Sequence, residues 1–132
     1  MTRVTQVTPS PPVRTVLRRT ALVAVGGTAG TAMRLLLGTL IPDAAPGVLT
    51  ANILGALALG VLTARLPASG LRVMLGTGVL GGFTTYSSFA VDAVGLWGAT
   101  PLLAAGYVVL TLTGGVAAAV LGLRLGRREA RS

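Results

Sequence analysis

Gly81-Gly82-Phe83-Thr84-Thr85-Tyr86-Ser87-Ser88-Phe89 lies in the middle of a long apolar run, and its reading decides the fold. Two adjacent glycines and a Thr-Thr pair lower helix propensity, and two more hydroxyls follow at once. The stretch therefore predicts a break in a membrane-crossing helix. Lipid offers backbone N–H and C=O groups no hydrogen bonds, so main chain that leaves the helical ladder must be partnered by protein or line a wet cavity. Such a break marks an ion site or an ion pathway.

The composition around it is that of a membrane protein. The 132 residues are 52% hydrophobic, with a mean hydropathy of +0.81 and only three acids. A net charge of +8 with no lysine could suit nucleic acid, but the 11 arginines lie almost entirely outside the apolar segments. They suit anionic lipid headgroups instead, and no nucleic-acid partner is expected. The chain has no cysteine and no histidine, which removes disulfides, thiolate metal sites and the commonest general base. No constellation of nucleophile, base and acid is visible, so the chain is not read as an enzyme.

Four segments can span about 30 Å of hydrocarbon at about 1.5 Å per residue. They cover residues 20–41, 48–66, 72–97 and 101–125. The links between them are short: Pro42 to Gly47, Pro67 to Gly70, and Gly98 to Thr100. Short links make antiparallel neighbours. The expected fold is thus an all-α integral membrane protein, one bundle of four transmembrane helices with a broken third helix. Residues 1–19, with Pro9, Pro11 and Pro12, are expected to form a disordered cytoplasmic tail, and residues 126–132 a basic cytoplasmic tail. Arg18-Arg19 before an apolar run also fits a secretory signal, but the run continues for a full span without a clear cleavage site.

Polar residues inside the spans are the candidates for function. Arg34 in the first span either snorkels to the interface or faces protein and water, as a structural or electrostatic anchor. Gly26 and Gly30 beside it form a close-packing pair. Asn52 opens the second span, where a carboxamide must be partnered. It reads equally as an interhelical hydrogen-bonding group and as a pore-lining donor. In the third span, freed carbonyl oxygens suit a hard cation such as sodium. The hydroxyls of Thr85, Ser87 and Ser88 suit an anion. Asp92, close to Trp97 and the end of the span, is read as a solvated carboxylate. Tyr107, Thr111 and Gly115 share one face of the fourth span, a stripe that is either a pathway or a set of groups bonded back to their own helix.

Four arginines precede the first span, two flank the link between the second and third, and four stand in the last turn of the fourth span and the tail after it, with Arg34 alone elsewhere. The positive-inside rule then places both termini in the cytoplasm of a multi-pass cell-membrane protein.

Three motifs carry a family resemblance: GGTAGTAMR at Gly26 to Arg34, LTANILGALALG at Leu49 to Gly60, and GTGVLGGFTTYSSF at Gly76 to Phe89, followed by Tyr107. In this order they resemble the CrcB or Fluc fluoride channels over nearly the whole chain after Thr20. The resemblance implies an antiparallel dimer with two fluoride pores, through which fluoride leaves the cell passively. It also implies one structural sodium ion at the dimer centre, held by the backbone oxygens of Gly81 and Thr84. Asn52, Tyr86, Ser87, Ser88, Phe89, Tyr107 and Thr111 would then serve the anion. The sequence departs from the family pattern at Tyr86, where a phenylalanine is usual, and at Gly115, where a further hydroxyl could stand. Ten arginines on one side against none on the other also disfavour insertion in both orientations. The expected dimer partner is an oppositely oriented relative, and otherwise a second copy. A proton-coupled exporter of the small multidrug-resistance type is the alternative, but it needs a carboxylate in its chamber and the first span carries none.

Overall fold

A computed structural model describes residues 11–129, which are helical almost throughout. Helix α1 runs Val13–Leu40 and α2 Ala44–Arg65. Helix α3 covers residues 70–83 as a turn at Gly70–Arg72, a π-helical stretch at Val73–Leu80 and a final turn at Gly81–Phe83. After Thr84 and Thr85 the chain resumes as α4, Tyr86–Ala99, and then α5, Pro101–Glu129. By length and composition α1, α2 and α5 can each cross a membrane, and only 11–17% of their apolar windows is buried within the chain. Their apolar side chains therefore face outward, where lipid would cover them.

Three element boundaries differ from expectation. Residues 13–19, assigned to a disordered tail, form the start of α1, with Pro12 at its N-cap. Their polarity keeps them out of hydrocarbon, but nothing between Val13 and Arg19 breaks a helix. Residues 1–10 of that tail lie outside the described residues. Helix α2 starts at Ala44 rather than Val48, because Pro46 falls in the first turn, where its missing N–H is not needed. Helix α5 continues to Glu129, so the basic tail expected from 126 is helical up to that point. Arginines in a last helical turn face the negative end of the helix dipole. The π-helical stretch was not expected. Its wider turns lead directly into the break, and the Gly81 N–H is shared between the carbonyls of Gly76 and Gly78.

The helices pack in two main pairs, α1 on α3 and α2 on α5, with α4 lying against α5. Glycine seams explain the pairing. A Cβ on Gly26 would come within 3.0 Å of the Gly78 Cα, one on Gly30 would strike the Val79 carbonyl, and one on Gly82 the Gly27 carbonyl. In the second pair a Cβ on Gly60 would strike the Ala119 carbonyl, and one on Gly122 the Leu57 carbonyl. Apolar side chains gain little by leaving lipid for each other, so backbone approach of this kind is what holds such helices together.

Gly30→Ala should destabilise the α1–α3 pair by about 1–3 kcal/mol, the range for overpacking a closed contact. Gly106→Ala, where no atom lies within 4 Å of the added methyl, should leave stability unchanged or raised. Thermal unfolding of the detergent-purified variants measures both.

Candidate ion site at the helix break

Thr84 and Thr85 are both extended, with φ/ψ of −80°/155° and −146°/121°, and they separate α3 from α4. The Thr84 N–H still reaches the Leu80 carbonyl at 2.9 Å, and the Thr84 hydroxyl donates to the same oxygen, also at 2.9 Å. Thr85 is the first residue to leave the ladder. Its N–H donates to Asn52 Oδ1 at 2.9 Å, and its carbonyl accepts from Asn52 Nδ2 at 3.2 Å. One carboxamide on α2 thus satisfies both main-chain groups of the residue that lost its helical partners. Of the two readings open for Asn52, the interhelical hydrogen bond is the one formed. Nδ2 carries two hydrogens, and the second is left over. Gly55, one turn further along α2, makes room for the Thr84 side chain, since a Cβ there would run into Thr84 Cγ2.

On the α3 side the break frees carbonyl oxygens. Gly82 O accepts long hydrogen bonds from Arg34 Nε at 3.4 Å and Thr31 Oγ1 at 3.5 Å, so Arg34 is turned inward onto the break. Among the described residues no hydrogen bond reaches the carbonyls of Gly81 or Thr84. Gly81 is exposed, with nothing within 4 Å of its missing side chain. Two unspent main-chain oxygens near one another in sequence fit part of the oxygen shell of a hard cation, whose remaining ligands must come from elsewhere. Among the described residues no group of three or more His, Cys, Asp or Glu could hold a metal ion.

On the α4 side the break frees donors. The Thr85 hydroxyl caps the helix by accepting from the Ser88 N–H at 3.2 Å. The same hydroxyl oxygen lies 3.2 Å from Ser87 Oγ and 3.2 Å from Ser88 Oγ. Three hydroxyls have three protons, and two contacts use two of them. One O–H is therefore left for a guest at the positive end of α4.

From this cluster a column of rings leads inward. Tyr86 and Phe89 have centroids 5.9 Å apart at 47°, and Phe89 and Tyr107 5.5 Å apart at 33°. Tyr86 is 81% exposed whereas Phe89 and Tyr107 are 9% and 8% exposed, so the column runs from the surface into the chain. At its inner end the Tyr107 hydroxyl is buried without a hydrogen-bond partner, and so is Asp92 Oδ2. Asp92 is the charge that faces Tyr107, not the solvated carboxylate expected from its place near the end of the span. Its spacing of three residues from Phe89 already put it on the inward face of α4. Thr111 is 7% exposed and donates to the Tyr107 carbonyl at 2.7 Å. Its proton is committed to its own helix.

Residues 21–123 match the family described as CrcB-like protein, Camphor Resistance (CrcB). The fluoride-specific ion channel FluC of Paracoccus denitrificans is 43% identical over 113 residues, covering 80% of this chain and 91% of that protein. FluC of Agrobacterium fabrum is 44% identical over 118 residues, covering 81% and 94%. FluC 1 of Rhodococcus jostii is 46% identical over 110 residues, covering 83% and 86%.

Asn52→Leu should leave the Thr85 N–H and C=O both unpartnered and cost about 2–4 kcal/mol. Thr85→Ala, which removes only the cap, should cost about 1 kcal/mol, and Thr85→Ser should restore it. The three unfolding midpoints, compared in one detergent, test the order.

Proposed function

The chain belongs to the CrcB-like family, and on that premise we propose that it is a fluoride-selective channel that lets fluoride leave the cell passively. The observation that carries this reading is the break at Thr84–Thr85, which leaves carbonyl oxygens unpaired on one side and hydroxyl donors on the other. Fluoride is small and strongly hydrated, so a pore for it must replace water with closely spaced donors in a narrow bore. The spare hydroxyl proton among Thr85, Ser87 and Ser88, the second hydrogen of Asn52 Nδ2 and the unpartnered Tyr107 hydroxyl are such donors. Ring edges of Tyr86, Phe89 and Tyr107 are electropositive and line the steps between them. Tyr86 in place of the family's usual phenylalanine keeps that edge, and its high exposure gives its own hydroxyl access to water or to a partner subunit.

The Gly81 and Thr84 carbonyls would hold the structural sodium ion. When bound, that ion supplies a fixed positive field and ties broken helices together. Two oxygens from one subunit are too few for its shell, which supports an antiparallel dimer contributing the same pair twice. The fourth crossing of the bundle would be α3 and α4 together. Ten arginines at one end support a fixed orientation with both termini cytoplasmic, and hence an oppositely oriented relative as the partner.

Fluoride efflux from liposomes, read with a fluoride electrode and with chloride as the control anion, tests the proposal. The expected result is rapid fluoride loss without a proton gradient, negligible chloride loss, and loss of activity on sodium removal. Tyr86→Phe should keep flux within about threefold, because the ring edge persists. Chloride moving as fast as fluoride, or flux that needs a proton gradient, would reject the channel reading. Full flux from this subunit alone, with termini on both membrane faces, would reject the unlike partner.

A further inference from the structure

Four of the arginines belong to one end of the bundle. Arg18 and Arg19 lie in the first turns of α1, Arg65 ends α2, and Arg72 closes the first turn of α3. The ends coincide in space. A Cβ on Gly70 at the start of α3 would lie 3.2 Å from Leu22 Cδ1 and 3.6 Å from Arg18 Nη2 of α1. Between α1, α2 and α3 this end opens a groove of about 490 Å³. Its rim carries Arg19, Arg72 and Ser69, and its floor carries Leu59, Leu62 and Val73.

The rim is built to hold its charge in place. Arg72 Nη1 donates to the Leu66 carbonyl at 3.4 Å, and the Arg72 N–H donates to Ser69 Oγ at 3.3 Å. Among the described residues that leaves the other guanidinium donors of Arg72, and those of Arg19, uncommitted. Neither arginine forms an ion pair among the described residues. Of the acids whose side chains are described, Asp43 stands at the N-cap of α2 and Asp92 lies within α4, both away from this rim. The Arg19 and Arg72 guanidiniums at the rim can therefore take an anion from outside the chain. The floor narrows the choice. Leu59 lies six residues before Arg65 on α2, about 9 Å deeper along the helix axis, and so inside the hydrocarbon if the arginines are at the interface. A free inorganic anion could meet the rim but would leave the leucines wet. A phospholipid meets both, with phosphate at the rim and acyl chain on the floor.

We propose that this groove is a binding site for an anionic phospholipid of the membrane leaflet on the side of the chain termini. The phosphate and its neighbouring headgroup charge sit under Arg19 and Arg72, with the Ser69 hydroxyl as an additional donor. One acyl chain lies along Leu59, Leu62 and Val73. The inference rests on the membrane location of the chain and not on which ion it conducts.

Native mass spectrometry of the purified full-length protein, titrated with phosphatidylglycerol or with phosphatidylcholine of the same chains, tests it. Phosphatidylglycerol should bind in preference, and Arg19→Gln/Arg72→Gln should weaken it roughly thirtyfold while phosphatidylcholine binding is unchanged. Arg19→Lys/Arg72→Lys, which keeps the charge, should keep most of the preference. Should the double glutamine variant fail to elute as folded protein, the two single variants, each expected to lose about fivefold, give the same reading. Equal binding of the two lipids, or no change in any glutamine variant, would overturn the proposal. Displacement of the lipid by millimolar inorganic phosphate would overturn it too, in favour of a free-anion site. Fluoride flux plays no part in the readout, so a failed flux assay would leave the lipid result standing.

Discussion

A polypeptide that stops being helical in a medium without water must have its backbone polar groups satisfied by something else. Here that something is the Asn52 carboxamide, which meets the N–H and the C=O of Thr85 together. A buried donor or acceptor left alone costs about 1–3 kcal/mol, so the double bond from one side chain makes the break tolerable. It also ties the break to one level of α2, the third turn, where Asn52 stands. The rest of the site follows. Gly81 keeps a free oxygen because the Thr85 N–H has been taken by Asn52 of α2, and Thr84 keeps one because the Ser88 N–H goes to the Thr85 hydroxyl that caps α4.

Glycine supplies the second constraint. The break is aimed correctly only if α3 lies against α1 and if α2 lies against α5, and both contacts are between backbones. Gly26, Gly30, Gly78 and Gly82 serve the first pair and Gly60 and Gly122 the second. Arg34 benefits from the same closeness. With α1 drawn tightly onto α3, its guanidinium reaches the Gly82 carbonyl, and a charge that would be expensive in lipid is placed at the negative end of a helix instead.

Charge is distributed with the same economy. The acid that remains near the centre, Asp92, faces Tyr107 at the inner end of the ring column, so a carboxylate and a phenol share one buried place. Apart from Arg34, the described arginines lie at the opposite extreme, towards helix ends, where they can meet headgroups without entering the hydrocarbon. A family relationship that names fluoride channels is consistent with this division between a donor-lined interior and a cationic rim.

Read alone, the sequence determined the membrane class, the places of the apolar helices, a helix break somewhere within Gly81 to Phe89 and the family; the structure narrowed the break to Thr84 and Thr85. Each depends on local composition or on contiguous motifs: apolar runs of spanning length, paired glycines, adjacent threonines. It misplaced the ends of α1, α2 and α5, because polarity marks where lipid stops and not where a helix stops. It gave no sign of the π-helical turns in α3, which depend on hydrogen-bond register and not on residue type. Tertiary structure alone decided the side-chain contacts. The partner of Asn52 Oδ1 and of one Nδ2 hydrogen could not be named until α2 was placed beside the break. Thr111 could have lined a pathway until its proton was found on the Tyr107 carbonyl. Asp92 could have faced water until α4 was laid on α5. The reason is common to all three: a hydrogen bond is a statement about distance and direction between residues far apart in the chain, and no spacing along one strand of sequence contains it.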